Sequence, residues 1–328
     1  METKARLAVV VALALLAGGL YASPAPAQQP VKLGYSTWVG YGPLFLARDK
    51  GFYKEAGVAV ELVKMEDPKL RFAALAAKKL DGLVSTLDTM TLYVKPDVQL
   101  AAVLGLDDSK GGDGIVADKA IKTIADLKGK RIAFPEGSVS HFFLSVLLRQ
   151  HGLTEKDIIP INMTAGDAGA AFVAKKVDAA VTWEPWLSRG KRTEHGHLLI
   201  DSSKTPGLIV DVLIFRKDVL QKRGDEVRGI VKAWHRAVEF WKENPRQANE
   251  LMAGSVGGWL KDVKVFAETL AGIRYYDFQA NKEFFGTPQR PGTAYKTAQF
   301  AIDIWSELGK IRMKLRPEDI LDNRYLTR

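Results

Sequence analysis

Two stretches far apart in the chain spell nearly the same thing. Lys78 to Thr86 reads KKLDGLVST, and Lys175 to Trp183 reads KKVDAAVTW. Each reads as a helix end, an aspartate, small residues, and then a short apolar strand ending in hydroxyls. A looser echo joins Val31 to Val63 with Lys130 to Gly152, where a strand, a small-residue turn, an aromatic-rich helix and a glycine follow in that order. Self-similarity of this kind implies an α/β chain with two lobes of similar topology.

The turns of these units are where a ligand is expected. Arg131 to Phe134 reads as a buried strand, and Pro135-Glu136-Gly137 breaks it. Ser138 or Ser140 can cap the helix that follows, whose apolar face is Phe142, Phe143, Val146 and Leu147. Free N–H groups at such a helix start face the carboxyl end of the sheet, where open α/β sheets bind ligands. An ordinary βα connection is the alternative. In the first unit Trp38, Gly40 and Tyr41 lie among glycines just past a strand, which suits a small-molecule contact or, equally, a lid over the core. Leu87-Asp88-Thr89 follows the next strand, where Asp88 either caps a helix or faces the ligand. Trp183-Glu184-Pro185-Trp186 ends another strand, and an aromatic wall with one carboxylate is a common way to hold a small polar solute.

Farther on, Leu208 to Phe215 (LIVDVLIF) is apolar except for Asp211. A carboxylate there is expected to be paired or functional. The dense turn composition from Asp107 to Gly114 reads as a hinge or domain crossing. Everything after Phe215 reads as helix that packs and supports, with Val227, Ile230, Val231, Trp234, Val238 and Trp241 at helical spacing.

Composition removes several classes. The 328 residues are 47% hydrophobic and 26% charged, with a formal net charge of +9. Lys and Arg are scattered among acids, so the charge reads as a solvated surface and not a nucleic-acid footprint. The absence of cysteine excludes disulfides, thiolate metal sites and a lipid-bearing Cys. Asp107 to Gly114 lacks the alternating acids and terminal Glu of a calcium loop, and His195-Gly196-His197 lacks further ligand spacing. No metal and no cofactor are expected. Lys4 and Arg6 before an apolar run from Leu7 to Leu20, then Ala25-Pro26-Ala27, read as a secretory signal at 1–27, cut before Gln28. The mature protein is expected to be exported. An enzyme using Ser138 or Ser140 with His141 lacks a placed third group. A transcription regulator's effector domain would need a DNA-binding N-terminus in place of the export signal.

The signal peptide, STWVGYGPLFLARDKGFYKEAG, TIADLKGK, EGSVSHFF and VDAAVTWEPW together resemble the nitrate/sulfonate/taurine substrate-binding proteins of ABC importers and the related thiamine-pyrimidine-precursor binders. The resemblance covers nearly the whole mature chain. It implies a two-lobed type II periplasmic-binding-protein fold, each lobe a mixed, mostly parallel sheet flanked by helices. One lobe would be 31–116 plus 211–328, the other 117–210, with the ligand in the cleft between them. It implies a periplasmic, monomeric, non-enzymatic protein that serves a membrane permease. The positions matching the family's ligand loops are Trp38, Gly40, Tyr41, Leu87, Asp88, Thr89, Ser138, Ser140, His141, Trp183 and Glu184. With Asp211, and Asp113 as a further candidate, several acids point at the cleft and no Lys or Arg stands in the candidate loops. That favours an amine- or amidine-bearing or zwitterionic ligand over an alkanesulfonate, nitrate, bicarbonate or thiamine pyrimidine precursor.

Overall fold

The computed structural model describes residues 29–287 and 289–326, so the export signal expected at 1–27 lies outside the described residues. In chain order the strands are β1 Val31–Tyr35, β2 Val60–Lys64, β3 Gly82–Thr86, β4 Leu100–Ser109, β5 Asp113–Asp118, β6 Arg131–Phe134, β7 Ile159–Asn162, β8 Ala179–Trp183, β9 Gly196–Asp201, β10 Val210–Arg216 and β11 Ile273–Tyr275. They form a six-stranded sheet, β11-β4-β10-β3-β1-β2, and a five-stranded sheet, β7-β6-β8-β5-β9.

The two sheets share a plan. In each, a central strand (β1 or β6) has parallel neighbours on both sides, and antiparallel strands complete the sheet. The parallel share is smaller than the resemblance implied, because β10, β4 and β11 all add antiparallel in the larger sheet.

The sequence echo has a physical basis. The helices Pro68–Ala76 and Ala165–Val173 end alike. Lys78 and Lys175 both adopt positive φ, 59° and 56°. Lys78 and Lys79 amides reach back to Leu75 and Ala74 carbonyls, and Lys175 and Lys176 amides to Phe172 and Ala171. This is a Schellman closure with lysine in the place usually held by glycine. Asp81 and Asp178 then do the same work. Each carboxylate accepts an amide at the start of the neighbouring central strand, Lys32 at 2.9 Å and Arg131 at 2.7 Å.

Two crossovers join the sheets. β4 continues through Ser109 before a turn at 110–112, so Asp107, Asp108 and Ser109 are strand residues and not part of the expected turn. Pairing with β10 on one side and β11 on the other overrides their turn preference. All of β5 lies in the five-stranded sheet, which puts the crossing ahead of the boundary expected at 116. The return runs through 202–209, where the Ser109 and Ser202 hydroxyls are 2.9 Å apart and Gly111 N–H donates to Ser202 Oγ at 2.7 Å.

The region after Phe215 is not wholly helical. β11 extends the large sheet, and a short hairpin pairs Gly286–Thr287 with Arg290–Pro291. Most of the rest is helix packed on the large sheet, including Gly224–Glu243 with Trp234 fully buried. The helix Thr293–Glu307 reaches both halves. Its Trp305 is fully buried, donates to the Asp88 carbonyl at 3.0 Å, and packs against Phe142 of the helix Val139–Gln150.

Candidate functional site

A crevice enclosing about 460 Å³, part of it open to solvent, lies where the carboxyl ends of the two sheets meet. The six-stranded side contributes Ser36, Trp38 and Tyr41 beyond β1, Glu66, Pro68 and Arg71 beyond β2, Ser85 and Thr86 at the end of β3 with Thr89 beyond it, and Asp211 of β10. The five-stranded side contributes Asp113, Pro135, Ser138, Val139 and Trp183. The crevice thus lies at the strand ends where an open α/β sheet takes its ligand.

Of the twelve residues named from sequence, six line it: Trp38, Tyr41, Thr89, Ser138, Trp183 and Asp211. Trp183 Nε1 donates to the Thr37 carbonyl at 3.1 Å and its ring meets Trp38 edge-on at 6.4 Å, so the aromatics bridge the two sides. Tyr41 donates its hydroxyl to Asp211. Trp38 Nε1 donates to Asp107 at 3.2 Å.

The other six sit behind the walls. Leu87 is fully buried in the core of the large lobe. Asp88 does not cap its helix; it is fully buried, its Oδ2 accepting from Thr89 Oγ1 at 3.1 Å and its Oδ1 without a partner. Ser140 is buried with its hydroxyl unpartnered. His141 is a strut: Nδ1 accepts the Gly137 amide at 3.0 Å, and Nε2, left to carry the proton, meets Glu155 at 2.6 Å. This bond fixes the turn that starts the helix Val139–Gln150. The Ser138 hydroxyl donates to the Pro135 carbonyl, so among the described residues neither serine is joined to the imidazole. Glu184 caps the helix Trp186–Lys191, accepting from the Ser188 amide at 3.1 Å and hydroxyl at 2.8 Å.

Gly40 acts through its lack of a side chain. A methyl there would overlap Asp107 Oδ2 and Trp38 Nε1. Gly40→Ala is therefore expected to break the Trp38–Asp107 bond and destabilise the protein by about 1–3 kcal/mol, the usual cost of overpacking. Urea unfolding monitored by circular dichroism measures this.

The electrostatics are dominated by acids. Asp88, Asp107, Asp113 and Asp211 are each no more than 5% exposed. Burial pushes Asp88 and Asp113 up to about 7. Burial pushes Asp211 up to about 8; Asp113 and Asp88 add to that rise, while the Tyr41 bond and Arg71 oppose it. Asp107 is held well above the carboxylate range, by burial first and then by Asp211.

Arg71 is what sequence reasoning missed. It lies outside the candidate loops, in the helix Pro68–Ala76, yet lines the crevice beside the acids. It is 4% exposed, its Nη1 donates to the Met65 carbonyl at 2.5 Å, and its Nε has no partner. Among the described residues no carboxylate lies within ion-pair distance of it. Glu66 was missed as well. It accepts from Thr37 N at 3.0 Å and Oγ1 at 2.6 Å and pairs with the half-exposed Lys64 at 3.1 Å. For Glu66 the available signal was positional, since it follows β2 at its carboxyl end, whereas Arg71 lies within the next helix, Pro68–Ala76. Among the described residues no three His, Cys, Asp or Glu side chains converge to hold a metal.

Residues 38–248 match the family model described as NMT1/THI5 like. The chain is 28% identical to the taurine-binding periplasmic protein of Escherichia coli (strain K12) over 202 residues, 60% of this chain and 62% of that one. Its structure is similar to that of the periplasmic aliphatic sulphonate binding protein SsuA from Escherichia coli, with a TM-score of 0.69 and 22% identity over 91% of this chain and 99% of that one. The periplasmic nitrate-binding protein NrtA from Synechocystis PCC 6803 is similar at a TM-score of 0.69 and 16% identity, covering 90% and 86%. At such identities the structural likeness establishes the fold, a periplasmic-binding-protein fold.

Proposed function

The chain belongs to the NMT1/THI5-like family, and from that premise we propose that it is the exported solute-binding component of an ABC importer whose ligand is amine-bearing, amidine-bearing or zwitterionic. It works in the periplasm as a single chain, holds the solute in the crevice and delivers it to a membrane permease. The lobes built on the two sheets close on the ligand by hinge motion at the crossovers. A binding role needs no chemical step, and it suits an imidazole engaged at both nitrogens.

One observation carries the ligand class. Two buried acids, Asp113 and Asp211, face the crevice with two more behind them, and Arg71 is the one cation among the lining residues. A solute bringing a positive or strongly polarised N–H group neutralises the acids, whereas a bare anion meets their repulsion. The unpaired Arg71 favours a second feature, an anionic group at the other end of the same solute. It also supports the rival reading, an oxyanion without an amine, since Arg71 and the helix start at Ser138 both offer donors to an anion.

A thermal-shift panel on the mature protein separates them. It contains taurine, alkanesulfonates, nitrate, guanidine, amines and pyrimidines. Only binders of the folded state raise the midpoint. Amine-bearing members, zwitterions foremost, are expected to raise it at neutral pH. Shifts confined to nitrate and amine-free sulfonates would overturn the cationic reading.

A further inference from the structure

Beside the crevice lies a second hollow, enclosing about 740 Å³ with part of it open to solvent, and sharing Glu66 and Trp183 as walls. Its sides are two tryptophans from opposite halves of the molecule. Trp186 follows β8, and Trp259 comes from the C-terminal region. Their rings meet edge-on at 5.6 Å. Both indole N–H groups are buried without a hydrogen-bond partner. Two lost donors in one place are costly, and each calls for an acceptor.

The floor is the start of the helix Ala165–Val173, stripped to glycine where the rings sit. A Cβ on Gly169 would come within 2.5 Å of Trp186, and one on Gly166 within 3.1 Å of Trp259 and 3.5 Å of Trp186 Nε1. Glycine inside a helix weakens it, and what these two admit is the tryptophan pair. One face of the Trp186 ring is covered by the Arg189 guanidinium at 4.7 Å. Two carboxylates line the hollow, Glu66 and Asp167. Both are already engaged, Asp167 by the Thr164 hydroxyl at 2.7 Å, yet their charge still repels an anion.

We propose that this hollow is a second subsite, taking a flat, uncharged, acceptor-bearing part of the solute whose charged end lies against Asp113, Asp211 and Arg71. The proposal rests on the binding function set out above and extends it: the solute is bipartite. Flat walls select a planar group, unpartnered indole N–H groups select an acceptor, and neighbouring carboxylates select against an anion.

The test is a proton–nitrogen correlation spectrum of the mature protein, which carries seven tryptophans, with the Trp186 and Trp259 indole signals assigned through Trp186→Phe and Trp259→Phe. Nicotinamide, flat and uncharged with acceptors, is titrated as a fragment probe, with benzoate as its anionic counterpart and taurine as a probe of the charged end. Nicotinamide is expected to shift the Trp186 and Trp259 signals saturably in the millimolar range of a fragment. Benzoate is expected to bind at least tenfold more weakly. Gly166→Ala, which puts a methyl against the Trp186 donor, is expected to weaken the nicotinamide response at least tenfold. Unmoved signals with nicotinamide, equal responses to benzoate, or a response indifferent to Gly166→Ala would each overturn the subsite. Failure of taurine to move the Trp38 and Trp183 signals, assigned in the same way through Trp38→Phe and Trp183→Phe, would instead count against the charged-end site, so the two failures are distinguishable.

Discussion

Asp211→Asn is expected to lower affinity for an amine-bearing solute about 100-fold or more. Removing one partner of a buried, hydrogen-bonded charge pair typically costs ~2–5 kcal/mol. Asp211 is 3% exposed, faces the crevice, and is held by the Tyr41 hydroxyl. Asparagine keeps an oxygen to accept that hydroxyl, so geometry survives while charge is lost. The unliganded variant is expected to be more stable than the parent at pH 8, because an uncompensated buried carboxylate has gone. Calorimetric titration with the strongest hit of the thermal-shift panel, paired with melts at pH 8, measures both. Unchanged affinity would show Asp211 to be structural.

The second large effect is in pH. Asp88 and Asp113 are raised to about 7 and Asp211 to about 8, from an ordinary value of 3.8. Between those limits the folded, unliganded chain holds protons that the unfolded chain has released. Stability contributed by the protonated acids is therefore full below about pH 4 and is lost as pH rises through 7 to 8. Even one unit of elevation realised per group is about 1.4 kcal/mol, so melts of the empty protein are expected to fall by several degrees across this window. Affinity runs the other way. A cationic group needs ionised carboxylates, so binding releases protons and tightens with pH, by up to about tenfold per pH unit for each proton released, until pH 8. Titrations in buffers of different ionisation enthalpy count those protons. Affinity flat from pH 6 to 8, with no proton release, would mean that the acids stay protonated around the ligand.

Much of the architecture was legible because it is written in local rules. The paired KKxD stretches mark helix ends closed by left-handed lysines, followed by an aspartate that caps the adjacent strand. β1, β6 and β8 were readable as apolar runs ended by turn residues. Misreadings arose where long-range pairing decides. Asp107, Asp108 and Ser109 have turn composition yet are strand, because β10 and β11 flank them. β11, with Arg274 at its centre, has no apolar pattern and is a strand only because β4 presents an edge.

In the site, loops at strand ends were readable and orientation was not. Trp38, Tyr41 and Trp183 turn into the crevice, while Ser140 and His141, just past Ser138, and Glu184, just past Trp183, do not line it; His141 packs against Trp305 and bonds Glu155. Arg71 was hidden in an alanine-rich helix; only its three-dimensional burial, with an unpartnered Nε, reveals a cation at the acids' side. Its presence favours the zwitterionic member of the expected ligand class.

Capture of an amine-bearing solute by buried acids is tested most directly by calorimetric titration, at pH 8, of matched solutes that differ only in an amine, such as taurine against ethanesulfonate. Binding of the amine-bearing member at least tenfold tighter is expected, a difference of about 1.4 kcal/mol or more. Equal binding within the pairs, or tighter binding of the amine-free members throughout, would contradict it.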